Sequence, residues 1–188
     1  MPLTIIDPQT ALVLVDLQNG FRHRPAGPNT AEDVVSRSVA LAEAFRAREL
    51  PVVLTRFVMA SGGANAPGRT DLSGHFSEIP EAMLALVDDL AGHPGDITIT
   101  KRGWDSFYGT DLNLLLRGKG VTQVVLAGVA TSIGVESTAR TAHEHGYNVT
   151  LATDAMTDLN PQAHEHTTQR IFPMLGETGT AEEVIKLL

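Results

Sequence analysis

Val121-Thr122-Gln123-Val124-Val125-Leu126-Ala127-Gly128-Val129-Ala130-Thr131-Ser132-Ile133-Gly134-Val135-Glu136-Ser137-Thr138-Ala139-Arg140 changes character halfway along. Its first half is a short apolar run rich in β-branched residues, the pattern of a strand buried in a parallel sheet. Its second half reads as a helix start, with Thr131 and Ser132 as candidate caps and Val135, Ala139 and Ala142 recurring down one side. Small residues at Gly128, Ala130 and Gly134 permit a tight turn between the two. Such a turn aims backbone N–H groups at the crevice beyond the strand's carboxyl end, where they can hold an anion or a developing oxyanion.

The same alternation continues on both sides. Upstream, Ala11–Val15 is an apolar strand ending at Asp16, and residues 22–29 are loop. Thr30 with Asp33 resembles a capping box that opens a helix to about Arg48, with Val34, Val35, Ser38, Leu41, Ala42 and Phe45 on its core face. Val52–Arg56 is a second strand. Residues 57–79 lose periodicity and form a connection longer than compact domains usually carry. Pro80–Leu90 reads as a helix and Ile97–Thr100 as a strand ending at Lys101. Gly103–Gly109 is an aromatic loop and Thr110–Arg117 a short helix. Downstream, the helix after the organising turn runs to about His145, with Gly146 ending it. Tyr147–Ala152 is a strand reaching Asp154, and Asn160 caps a helix with Pro161 at its first position, ending near Phe172. Thr180 with Glu183 begins a terminal helix.

Strands alternating with helices predict an α/β fold: one domain over residues 1–188, three layers α/β/α, with a mostly parallel, Rossmann-like sheet and right-handed crossovers. A chain of 188 residues with 43% hydrophobic content is enough for one sizeable core. No apolar run reaches membrane-spanning length and the N-terminus lacks signal-peptide features, so a cytoplasmic location is expected. The net charge of −8, with scattered Lys and Arg, argues against nucleic-acid binding. The chain has no cysteine, which excludes disulfides, thiolate metal sites and thiol catalysis. No dinucleotide fingerprint or Walker loop occurs, and no cofactor is implied.

In this architecture Asp16, Lys101 and the Gly134 turn all fall at strand carboxyl ends and can share one crevice. A carboxylate following an apolar strand needs a partner or a raised pKa. Lys101 can supply that partner, with Asp16 as acid or base and Lys101 orienting substrate. A structural ion pair is the alternative reading of the same residues.

Three segments resemble the isochorismatase-like hydrolases, also called the cysteine hydrolase superfamily: Leu14–Phe21, Lys101–Leu112 and Leu126–Arg140. Val149–Ala155 also fits, with Asp154 at a recurrent acidic position, and the similarity spans roughly Thr10 to Phe172. The resemblance implies a small-molecule hydrolase with Asp16 and Lys101 as catalytic residues. It also implies Ala130, Ser132 and Gly134 in the oxyanion or nucleophile-position turn, a cis bond before Ala130, and homo-oligomers with a dimer favoured. Most members carry a nucleophilic Cys at the position of Gly134. Isochorismatases proper have glycine there and cleave a vinyl ether by Asp-assisted protonation and water addition. Their turn resembles Tyr-Ala-His, whereas this chain has Ala130-Thr131-Ser132. Loss of the thiol leaves a non-catalytic binding or interaction protein on the same scaffold as the alternative.

Further candidates surround this centre. Arg69 in the long loop can meet a substrate carboxylate, and Trp104, Phe107 and Tyr108 can wall a small apolar pocket. Ser132 is a weak substitute nucleophile, since it lies two residues before the Cys-matching position. The Asp-x-His metal motif of nicotinamidase-like relatives is replaced by Arg56-Phe57-Val58. His143, His145, His164 and His166 stand two apart, a spacing that does not converge on a helix, so they read as surface residues and no metal is expected.

Overall fold

The computed structural model describes residues 3–22, 27–58 and 79–188. Their order is β1 (Thr10–Val15), α1 (Asn19–Arg22), α2 (Ala31–Arg46), β2 (Val52–Phe57), α3 (Glu81–Leu84), β3 (Ile97–Lys101), α4 (Leu112–Gly118) and β4 (Gln123–Val129). A π-helical turn, Thr131–Val135, leads into α5 (Glu136–Glu144), followed by β5 (Asn148–Thr157) and α6 (Pro161–His166). A second π-turn, Thr167–Ile171, joins α6 to α7 (Phe172–Leu175), before β6 (Glu177–Gly179) and α8 (Ala181–Leu187).

The strands form one six-stranded sheet in the order β3-β2-β1-β4-β5-β6, and every neighbouring pair is parallel. Side chains sort by strand parity, as a pleated ribbon requires. Ala11, Val13 and Val15 join Leu112, Leu116, Val135, Ala139, Ala142 and Phe172 on one face. Leu12 and Leu14 join Val34, Leu41, Phe45, Ala181 and Val184 on the other. Helices therefore cover both faces, and the α/β/α three-layer expectation holds.

The core face expected for α2 is buried throughout, and Thr30 caps this helix by accepting from the Asp33 amide. Asn160 likewise accepts from the Gln162 and Ala163 amides at the start of α6. Thr180 and Glu183 form a full capping box on α8.

Three local readings change. The helix expected over Pro80–Leu90 stops at Leu84, because Ala85 is extended and the following backbone pairs with the end of β1. The Asn19 amide donates to Ala85 O, the Val87 amide to Leu17 O, and Gln18 bridges Leu86. Tertiary pairing overrides the local propensity here. β5 runs on to Thr157 instead of ending near Ala152, with a bulge: Leu126 pairs with Leu151, but Gly128 with Met156. Thr131 and Ser132 are not side-chain caps; the residue preceding the turn is Ala130, with no side-chain cap bond.

The sheet order reverses between β1 and β4, both of which start their crossovers here. A doubly wound sheet opens its binding crevice outside the carboxyl ends of such strands. Asp16 leaves β1 at that point, and the Ala130–Gly134 turn leaves β4. Gly128 lets these two strand ends approach: its φ is +116°, and a Cβ there would stand 2.2 Å from Val15 O. No helix among the described residues is long and apolar enough to cross a membrane.

Candidate active site

Asp16 is the first residue after β1 and takes a left-handed backbone conformation, φ 52°. Its amide donates to Thr55 O at 3.1 Å, and its carbonyl accepts from the Gln18 amide at 2.8 Å. Those bonds hold a non-glycine residue in a backbone region that ordinarily costs energy, a feature common at functional positions.

Lys101, the last residue of β3, is 1% exposed. Its Nζ lies 2.8 Å from Asp16 Oδ2 and donates also to the carbonyl of Trp104. Thr55 on β2 donates its hydroxyl to Asp16 Oδ1 at 3.2 Å. The carboxylate side chain remains 17% exposed, so it reaches the crevice. Burial pushes the Asp16 pKa up to about 6; the Lys101 charge and hydrogen bond and the Thr55 hydroxyl oppose this without cancelling it. Asp16 is therefore a carboxyl that can carry a proton near neutrality.

Gly134 closes the third side. A Cβ built on it would meet Val15 Cγ1 at 3.1 Å, Val129 O at 3.3 Å and Asp16 Oδ2 at 3.4 Å. A side chain at position 134 would thus begin in van der Waals contact with the Asp16 carboxylate. The preceding Val129–Ala130 peptide is cis, and Ala130 O accepts from the Ile133 and Val135 amides. The π-turn is fastened at both ends. Asp158, 3% exposed, accepts from the Ser132 amide at 2.7 Å. Thr138 donates to Gly134 O at 2.7 Å and also contacts Ser106 Oγ at 3.0 Å.

The aromatic residues disperse. Phe107 is 5% exposed and packs within the hydrophobic core, edge-on to His145 and stacked on Tyr147. Trp104 and Tyr108 are exposed at 64% and 81%, so neither ring is enclosed by the described residues. Trp104 contributes its carbonyl to Lys101 rather than its ring to a wall. Arg69 lies outside the described residues. Asp154 sits in the β5 bulge, where it accepts from the Ala181 amide at 2.7 Å and pairs with Arg37 at 3.5 Å. It anchors α8, and neither of these partners belongs to the Asp16 centre.

The histidines divide. His143, His145 and His166 are exposed, but His164 is 7% exposed and bonded to Thr131, correcting the surface reading for that residue. Among the described residues no group of His, Asp and Glu is arranged to hold a metal ion. Sequence reasoning also missed Thr55, Asp158 and His164. A buried threonine ending an apolar strand segment was the available signal for Thr55. The other two are brought in by packing alone.

The fold and site together define a doubly wound α/β protein with a buried Asp–Lys pair at its switch point. Residues 10–183 match the family model of the isochorismatase domain. The chain is 39% identical over 180 residues to an uncharacterized isochorismatase family protein, YecD of Escherichia coli O157:H7, covering 95% of this chain and 96% of that one. It is 28% identical to ureidoacrylate amidohydrolase RutB of Stutzerimonas stutzeri (strain A1501), covering 86% of this chain and 75% of that one. An isochorismatase family protein from Burkholderia thailandensis superposes with a TM-score of 0.92 at 41% identity, over 98% of this chain and 97% of that one. N-carbamoylsarcosine amidase from Thermoplasma acidophilum superposes with a TM-score of 0.76 at 28% identity, over 92% and 96% of the two chains. The chain belongs to the isochorismatase-like hydrolase superfamily, as a member without any cysteine.

Proposed function

We propose that this protein hydrolyses a small vinyl ether, with Asp16 as general acid. The observation that carries the reading is the placement of Gly134 beside Asp16: a carboxyl able to hold a proton lies where a side chain at 134 would begin, and the glycine supplies no thiol there. Such a site suits a reaction that begins with a proton and needs no covalent enzyme intermediate.

In that reaction Asp16 gives its proton to the terminal carbon of the enol ether, whose π electrons form the new C–H bond. The ether-bearing carbon becomes an oxocarbenium centre, and water adds to it with loss of a proton that restores the acid. The resulting hemiketal breaks its C–O bond, releasing an alcohol and a ketone. Lys101 and Thr55 hold the carboxylate in place and balance the charge it acquires on giving up the proton. Ala130, Ser132 and Gly134 form the turn beneath the reacting carbon. Arg69, Trp104 and Tyr108 remain the candidates for substrate contact, Phe107 being enclosed in the core, and the protein is proposed to act as a homodimer in the cytoplasm.

A screen of isochorismate, simple vinyl ethers and small amides, run on wild type and Asp16→Asn side by side, tests the reading. Vinyl ether turnover lost in the folded variant is the expected result. Turnover unchanged by Asp16→Asn overturns the proposed role of Asp16. Amide turnover would instead require an activated water or another nucleophile, with Ser132 the first to replace. The missing thiol favours a second reading, binding without turnover, in which ligands of the panel bind wild type with no product formed.

A further inference from the structure

The buried cluster behind the π-turn is unused by the chemistry above. Thr131 Oγ1 lies 3.0 Å from Thr157 O and 2.8 Å from His164 Nδ1. A carbonyl oxygen only accepts, so the single hydroxyl proton of Thr131 belongs to the bond with Thr157. If that proton went to His164 instead, two oxygens would face each other across 3.0 Å with none between them. Nδ1 must therefore donate, which makes neutral His164 the Nδ1–H tautomer.

The surroundings keep this histidine neutral. Burial lowers its pKa, and the Asp158 carboxylate opposes that only in part. Asp158 is itself engaged, by the Ser132 amide and by the Asn160 amide at 3.0 Å. The result is a directed chain from α6 through Thr131 to the end of β5, with the first residue of the π-turn as its middle link. A second tie from the same region, Thr167 Oγ1 to Glu136 Oε2 at 2.7 Å, fixes the other side of the turn.

We propose that His164 is a positioning residue: through Thr131 it sets where the π-turn lies, and so holds Gly134 in its place beside Asp16. The importance of that placement rests on the proposed role of Asp16, but its tests do not need turnover. In wild type, long-range proton–nitrogen NMR correlations should show His164 as the neutral Nδ1–H tautomer. His164→Leu removes the donor, His164→Asn returns an N–H near the Nδ1 position, and His164→Gln places one where Nε2 stood. The readouts are the Gly134 amide resonance and the titration of Asp16 followed at its carboxyl carbon.

Released from His164, the turn should admit water to Asp16, so its midpoint in His164→Leu should fall from about 6 toward 3.8. The Gly134 resonance should move with it, and His164→Asn should restore both. A general loss of stability would shift neither in the folded protein. A wild-type Nε2–H tautomer, or a folded His164→Leu with Gly134 and Asp16 unmoved, overturns the proposal. Should His164→Leu not fold, the Asn and Gln variants decide it: identical readouts from the two overturn it, and wild-type readouts from Asn alone support it. A hydrolysis screen without turnover leaves these readouts intact, so the two proposals fail separately.

Discussion

Two partly buried ion pairs sit at opposite ends of the same sheet. At the amino end, Arg46 from the last turn of α2 grips Asp96, just before β3, with Nε–H donating to Oδ1 at 3.1 Å and Nη2–H to Oδ2. His93 Nδ1 lies 3.3 Å from the same carboxylate. At the carboxyl end, Asp16 has one ammonium on Oδ2 and one hydroxyl on Oδ1. A planar guanidinium satisfies both oxygens of a carboxylate at once. A point-charge ammonium with two acceptors to serve cannot, and desolvation then dominates at Asp16. The same kinds of residue make a clasp at one end of the sheet and a proton-bearing group at the other. How each carboxylate is solvated and bonded decides which it becomes.

The sharpest way to break this contrast is to neutralise each acid in turn. Asp16→Asn should lower kcat/KM for a vinyl ether substrate by about 10²–10⁴-fold, the usual worth of a general acid. Asp96→Asn should leave kcat/KM unchanged while lowering the urea midpoint. Steady-state kinetics and denaturation of both variants check this; equal losses of activity would mean that Asp16 acts only as a clasp.

Glycine placement sharpens the comparison next. Alanine at a helical glycine ordinarily gains up to about 1 kcal/mol, whereas an inserted methyl in a filled site costs about 1–3 kcal/mol. At Gly134 the new Cβ would press on Val15 Cγ1 and Val129 O, so the crowding should win and Gly134→Ala should destabilise by about 1 kcal/mol. The Asp16 environment should shift with it. Gly128→Ala is more severe, since its Cβ would collide with Val15 backbone, and loss of folding is expected. A Gly134→Ala variant more stable than wild type in urea would show that Val15 yields and the contact is loose.

The fold was legible because each central strand is a β-branched run whose alternate residues meet different helix layers. Leu12 and Val13, adjacent in sequence, lie in different core clusters. The crevice followed from topology, which puts Asp16, Lys101 and the Gly134 turn at one end. What stayed hidden depends on tertiary pairing. Ala85 is extended because β1's end needs partners. β6, Glu177–Gly179, contains no apolar residue to announce it. The bulge in β5 and the burial of His164 likewise have no local signature. Phe107 belongs to an aromatic loop, yet which rings turn inward is decided by Tyr147 and His145, far along the chain.

The pH dependence tests the electrostatic half of the contrast. Asp16 is protonated below about 6, so the donor form is lost, and kcat/KM falls, as pH rises through that value. For stability the sign follows from the raised pKa. The fold carries no penalty from this group below 3.8, and a penalty that grows until pH passes about 6, on the order of 3 kcal/mol. Urea denaturation from pH 4 to 8 should therefore show wild type losing ground to Asp16→Asn. Lys101→Met removes the larger opposing influence and should carry the acid limb above its wild-type position. A limb that moves down would contradict the assignment of Lys101 as the charge that restrains Asp16.

The smallest effect should come from Thr55→Val, which removes a hydroxyl donor with little change of shape. Its 3.2 Å bond to Oδ1 is long for an O–H donor, and it ranks below both contributions of Lys101 in holding the Asp16 pKa down. A hydrogen bond to a charged group contributes about 1.5–3 kcal/mol at best, and this one should fall at or below the lower limit. The acid limb should accordingly rise by less than in Lys101→Met, with kcat at low pH preserved because the protonated carboxyl does not need the donor. Measuring both limbs in one buffer series separates the two. If Thr55→Val moved the limb as far as Lys101→Met, the hydroxyl rather than the ammonium would be the principal hold on the carboxylate. The asymmetry with the doubly bonded Asp96 would then rest on Oδ1, not Oδ2.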